Sequence, residues 1–268
     1  MPLRRAPSRT GSSGPGSVAS MAGMHFERMA SEYAGARPPY PPGLYEVLRA
    51  EGVIGPATRV LEVGAGSGLA TRELVRSGSE VVAIEPGREL ASLLLRDVPQ
   101  ASVLLTHLED AELPHAAFDS VAAATSMHWV NLSVGLPQLH AALRPGGWLA
   151  VWRHRFGDES VDTEFRRRVQ GIVDGRARRT GAERRPDDRP TMDELSAGAW
   201  FVPVRSEHWR WSIDLDAGQV RTLFRTFSEW SEPEVDAATR AAADLGGVVT
   251  EHYQSVLHLL RRAPTDGA

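Results

Sequence analysis

The chain has 268 residues, 42% hydrophobic and 24% charged, with a net charge of −4. That is apolar material enough for a large folded domain, and it creates no overall field that would gather nucleic acid. Cysteine is absent, which excludes disulfides, zinc–thiolate sites and thiol nucleophiles; lysine is absent too, which excludes Schiff-base chemistry and a P-loop lysine.

Residues 1–23 are rich in Ser, Gly, Pro and Arg and lack the apolar region of a secretory signal, so a disordered tail on a cytoplasmic protein is expected. Pro41 and Pro42 can open a helix carrying Leu44, Val47 and Leu48 on one face. Arg59–Val63 reads as a buried strand, followed by a glycine-rich turn and a helix through Leu69, Leu74 and Val75. Glu80–Ile84 is predicted as the second strand, Arg88–Leu95 as a helix, and Ser102–Thr106 and Phe118–Ala124 as the third and fourth strands. Leu132, Leu136, Leu139 and Leu143 keep helical spacing until Pro145-Gly146-Gly147, and Trp148–Trp152 is the fifth strand. Alternating strands and helices predict a doubly wound α/β fold with a mostly parallel sheet.

Beyond residue 155 the alternation stops. Residues 160–200 read as helical and arginine-rich, broken by a polar loop near Arg184–Pro190. His208–Leu215 resumes as a strand, Ala217–Trp230 and Pro233–Leu245 are helical, and Tyr253–Leu260 is a final strand. The expected division is a core over residues 24–154, a lid and acceptor region over 155–245, and a closing strand within 246–262.

The most informative stretch is Val60-Leu61-Glu62-Val63-Gly64-Ala65-Gly66-Ser67-Gly68. A hydrophobic strand runs directly into Gly-x-Gly-x-Gly, where glycines allow positive φ and let a ligand reach bare backbone. The dinucleotide fingerprint needs a glycine where this chain has Leu69, which disfavours NAD. Glu62 beside a pyrophosphate would repel it, whereas beside a sulfonium or ammonium group it would attract. Glu85, at the end of the second strand, is placed to accept both hydroxyls of a ribose.

Over Phe26 to Arg262 the chain resembles the class I S-adenosylmethionine-dependent methyltransferases of the trans-aconitate methyltransferase-like branch. The resemblance rests on Tyr33 to Arg37-Pro38-Pro39-Tyr40-Pro41, Glu62–Gly68, Glu85-Pro86, Leu108-Glu109-Asp110, Met127-His128-Trp129 and Leu143-Arg144-Pro145-Gly146-Gly147. It implies a seven-stranded Rossmann-like sheet with a helical lid after strand five. It also implies S-adenosyl-L-methionine as cofactor, held by Tyr33, Arg37, Glu62, Gly64, Ala65, Gly66, Gly68, Glu85, Pro86, Leu108, Glu109 and Thr125. A small-molecule acceptor is expected, with a carboxylate suggested by the resemblance alone. His128 is the candidate catalytic base, or else a residue that packs the pocket and orients the acceptor. Tyr40, Trp129, Trp200, Trp209 and Trp230 are candidates for the acceptor pocket, with ordinary core packing as the alternative. No metal is predicted, because His128, His154 and His208 are far apart and lack a supporting motif. Two rival readings are a nucleic-acid or protein methyltransferase and a cofactor-binding protein without methyl transfer. Against the first, Thr125-Ser126-Met127-His128 stands where a base-flipping enzyme would often carry Asn-Pro-Pro-Tyr.

Overall fold

Short aliphatic runs buried on both faces favour parallel pairing, and that is how the centre of the sheet is built. The computed structural model describes residues 35–180, 189–227 and 229–264. Strands β1 (Arg59–Val63), β2 (Glu80–Ile84), β3 (Ser102–Leu104), β4 (Phe118–Ala124) and β5 (Leu143–Phe156) are joined in the order β3-β2-β1-β4-β5. Their pairings are all parallel, with Leu61 opposite Val82 on one side and Val121 on the other. The sheet continues through β7 (Val248–Arg262), antiparallel to β5, and ends on β6 (Phe201–Asp216), antiparallel to β7.

Helices α1 (Pro42–Ala50), α2 (Thr71–Arg76) and α3 (Arg88–Asp97) cover one face. Leu44, Leu48, Leu74 and Leu94 pack there on Val60, Trp152 and Leu257. On the other face α4 (Leu132–Ala142) and the short α6 (Met192–Ser196) place Leu136, Leu139 and Leu195 against Phe118, Leu149 and Leu260. A third core joins α5 (Glu164–Thr180), α7 (Ala217–Arg225) and α8 (Glu232–Asp244) through Phe165, Leu223, Phe224, Val235 and Ala238. These three helices, all from the segment between β5 and β7, pack into one cluster beside the sheet, in the place where a lid is expected. Its helices start where the sequence can cap them: Asp216 and Ser231 form capping boxes with Gln219 and Glu234. Among the described residues, no helix is long and apolar enough to cross a membrane.

The outer strands are longer than their hydrophobic patterns predict. β5 passes Trp152 because β7 supplies partners for Arg153 through Phe156. It also begins earlier, at Leu143, which pairs with Phe118 instead of closing the preceding helix. β6 starts at Phe201, not His208, and its first half is hidden from pattern reading because Val202 to Ser206 are exposed on a sheet edge. Pro203 sits at a register shift on that edge, where a missing donor costs no ladder bond. Strand β3 ends at Leu104, and the helix expected over Ala217–Trp230 stops at Arg225. The tail over residues 1–23 and most of the Arg184–Pro190 loop lie outside the described residues.

Candidate functional site

Strand order reverses between β1 and β4, and in open parallel sheets ligands bind beyond the carboxyl ends of the strands at such a point. A cleft opens there, lined by Arg37, Tyr40, the loop Gly64–Ser67, Leu69, Ala70, Ala124, Thr125 and His154. A shallower groove between α5 and α8, lined by Arg168, Ile172, Arg240 and Asp244, is remote from the glycine loop and belongs to the surface of the helical cluster.

The loop glycines have different reasons to be glycine. Gly64 has φ +66°, and a Cβ there would stand 2.6 Å from the Cβ of Ser126, so the loop backbone packs directly on the side chain of Ser126, just beyond β4. Gly66 has φ +59°, yet among the described residues nothing lies within 4 Å of where its Cβ would be. The strained conformation therefore bares the backbone to open space, as a ligand cradle requires. Gly68, at φ +90°, lets the loop close over Leu94.

Glu85 fixes this loop. Its carboxylate is buried and accepts from Gly66 N at 2.7 Å and from Gly87 N at 2.8 Å. It is therefore a staple of the loop, which the sequence reading did not foresee. Glu62 is fully buried, and it does not line the cleft. Among the described residues neither of its oxygens has a partner at hydrogen-bond geometry. Burial pushes its carboxyl up to about 8; the nearby Thr71 hydroxyl opposes the rise and the charge of Glu85 adds to it.

Thr125 ends β4 with φ 56°, a backbone region a β-branched residue rarely adopts. That turn aims Oγ1 at the Tyr40 hydroxyl, 2.8 Å away. Arg37 donates to Thr226 O at 3.2 Å and lies over the Phe227 ring, which fastens the segment before α1 to the end of α7. Tyr33 lies outside the described residues.

Other expected contacts fall elsewhere. Leu108 is buried against α4, and the Glu109 carboxylate accepts from Asn131 N at 2.7 Å, so that side chain ties the turn at 108–110 to the start of α4. Pro86 is exposed beside the loop. His128 and Trp129 are both exposed, with their rings 4.7 Å apart. The protein around the ring, then Arg153 and Arg37, lower the His128 imidazole below its ordinary value; solvent at the exposed side of the ring limits the first of these.

The tryptophans separate. Trp209 is half-buried over Gly43 in α1, beneath the cleft. Trp230 packs on Phe224 with Arg176 over its ring, inside the core of the helical cluster. Trp200 stands against His140 next to Phe201, which pairs with Arg262, while Arg261 pairs with Trp148 at the start of the inner part of β5. That is the end of the sheet opposite the cleft, so Trp200 is removed from the acceptor pocket. The aromatic wall near the cleft is instead Tyr40 stacked on His154 (4.3 Å), with Trp211 and Tyr253 beyond. His154, Trp211 and Tyr253 carry no local motif; the alternation Trp152, His154, Phe156 along β5 is the sequence signal of His154 alone. Among the described residues, arginines of α5 pair with nearby acids, as in Arg167–Glu164 and Arg176–Glu234. Among the described residues no group of His, Asp and Glu side chains could hold a metal ion.

Residues 61–151 match a methyltransferase domain family. The uncharacterised methyltransferase Rv3342 of Mycobacterium tuberculosis is 32% identical over 190 residues, 70% of each chain. In fold, the chain is similar to a proposed type II methyltransferase from Anaeromyxobacter dehalogenans, with TM-score 0.65 and 24% identity over 85% of this chain and 99% of that one. A phosphoethanolamine N-methyltransferase of Haemonchus contortus, solved with phosphomonomethylethanolamine and S-adenosylhomocysteine, gives TM-score 0.52 at 12% identity over 90% of this chain and 59% of that one.

Proposed function

Since this chain belongs to the class I S-adenosylmethionine-dependent methyltransferases, we propose that it methylates an oxygen or nitrogen of a small-molecule metabolite, and that a carboxylate is the favoured acceptor. The observation that carries this reading is the charge of the cleft: among its described lining residues Arg37 is the one charged side chain, and it is cationic. It complements an anionic group, and the resemblance to the trans-aconitate methyltransferase-like branch points the same way.

The residues suit the cofactor. Gly66 leaves backbone bare where a Cβ would otherwise stand, and the carboxyl of Glu62, buried beneath the loop without a partner at hydrogen-bond geometry among the described residues, would be completed by a cationic ligand group that the loop lets through to it. Gly64, Ala65, Gly66 and Gly68 would hold the cofactor through the loop, Glu85 from the end of β2, and Thr125 from the facing wall, which leaves Arg37 to the acceptor. Bound there, S-adenosylmethionine supplies an electrophilic methyl group open to in-line displacement. The chain's own contribution is positioning, which can lower a barrier by roughly 7–11 kcal/mol. His128 is assigned to orienting the acceptor, because its ring stands exposed against Trp129 just after β4 and is not among the residues that line the cleft. A carboxylate needs no proton acceptor.

The test is incubation with methyl-labelled cofactor and a metabolite extract, followed by identification of the labelled product. The expected product is a small molecule whose label is released by mild base, as from a methyl ester. Label found only in protein or nucleic acid, or no transfer at all, overturns the proposal.

A further inference from the structure

Behind Tyr40, side chains from β5, β6 and β7 form a hydrogen-bonded relay. The Trp211 indole N–H can only donate, and it meets Ser255 Oγ at 2.8 Å. The same oxygen lies 2.8 Å from His154 Nδ1. Where Ser255, accepting from the indole, donates its own proton to Nδ1, the ring proton of His154 stays on Nε2. Nε2 is buried and, among the described residues, short of a full hydrogen bond; the carbonyls of Pro38 and Pro39 are the backbone acceptors that act on the ring. Tyr40 stacks on that ring, and its hydroxyl reaches Thr125. Arg37 anchors the same segment to Thr226 and Phe227.

We propose that His154 is a positioning residue that pins the segment Arg37–Tyr40 across the cofactor cleft, and that Ser255 sets the tautomer in which it does so. The proposal rests on the reading that this cleft holds S-adenosylmethionine. Arg37, Tyr40 and His154 all line the cleft, whereas Ser255 is fully buried behind them, so a change at Ser255 acts on a ligand through His154. Burial keeps the ring neutral, so one of its two nitrogens can accept, and the Ser255 hydroxyl is the group that meets Nδ1.

The experiment uses the full chain labelled with ¹⁵N-histidine. Long-range proton–nitrogen spectra, assigned with His154→Gln, should show the Nε2–H tautomer in the parent and a changed tautomer ratio in Ser255→Ala. Stopped-flow binding of S-adenosylhomocysteine should show dissociation accelerated about tenfold by Ser255→Ala, with association unchanged. Trp211→Phe should give a smaller acceleration. His154→Gln, which keeps a donor near the Nε2 position, should stay within about twofold of the parent, while His154→Ala should not. An Nδ1–H tautomer in the parent overturns the proposal, and so does a tautomer change in Ser255→Ala with dissociation unaltered. Should Ser255→Ala fail to fold, an unaltered dissociation rate in Trp211→Phe overturns it equally. If the parent does not bind S-adenosylhomocysteine, the cofactor reading has failed, and the tautomer still decides the relay.

Discussion

Glu62→Gln is the most direct probe of the floor beneath the glycine loop. In the folded protein this carboxyl titrates near 8, against an ordinary value of 4.5, because it is fully buried without a partner. A shift of that size corresponds to about 5 kcal/mol between its two protonation states, at about 1.4 kcal/mol per pH unit. The raised group is protonated in the fold while the unfolded chain has already ionised. Its contribution is therefore fully present below 4.5 and is lost as pH rises through 8. Glutamine keeps the shape and cannot ionise, so the variant should lack this slope. The assay is urea denaturation of both proteins, without ligand, from about pH 5 to about pH 9. The difference in stability should grow steadily in favour of the variant as pH rises, and comparing the two isolates Glu62 from Glu251, which burial also raises, to about 7. Parallel pH profiles would refute the reasoning, since Glu62 would then be ionised and solvated or paired within the fold. A cationic ligand group that reaches this carboxyl should ionise it. Binding of S-adenosylhomocysteine should then release a proton, visible in calorimetry as a dependence of the heat on the buffer.

Glu85→Ala removes two backbone hydrogen bonds to a buried carboxylate. It should weaken S-adenosylhomocysteine at least about tenfold in calorimetry and also lower the melting temperature of the ligand-free protein by about 5 °C or more. A Glu85 that met only a ribose would leave the melting temperature unchanged. Gly66→Ala should cost about 1–2 kcal/mol of stability for its left-handed backbone, while ligand affinity falls further, because its methyl enters the cleft. Gly64→Ala should instead fail mainly in folding, its Cβ being driven into Ser126, as a thermal melt would show. Trp200→Ala should leave S-adenosylhomocysteine affinity and methyl transfer unchanged, whereas Trp211→Phe alters cofactor dissociation. A loss of affinity in the Trp200 variant would place that residue back at the site.

The parallel strands β1, β2 and β4 were legible to the residue because strands buried on both faces are continuous apolar runs, and the loop was legible because its function is local. The wall of the cleft was not. Ser255 lies 44 residues from Trp211 and 101 from His154, and only the β5-β7-β6 pairing brings them together. Aromatic content marked β6 as interesting without saying which end mattered. Eleven residues of extended chain carry Trp200 about 35 Å from Trp211, from one edge of the domain to the other.

Glu62 shows the converse case, in which the sequence contained the answer. Strand residues alternate between faces, so Glu62 must share a side with Val60, which packs under α1 and α2, while Leu61 and Val63 face α4. An acid in that register ends in the core beneath the loop, where it cannot be a freely solvated charge beside a ligand. Its influence on a bound cation then depends on its own ionisation, and the period of the strand is what determines this.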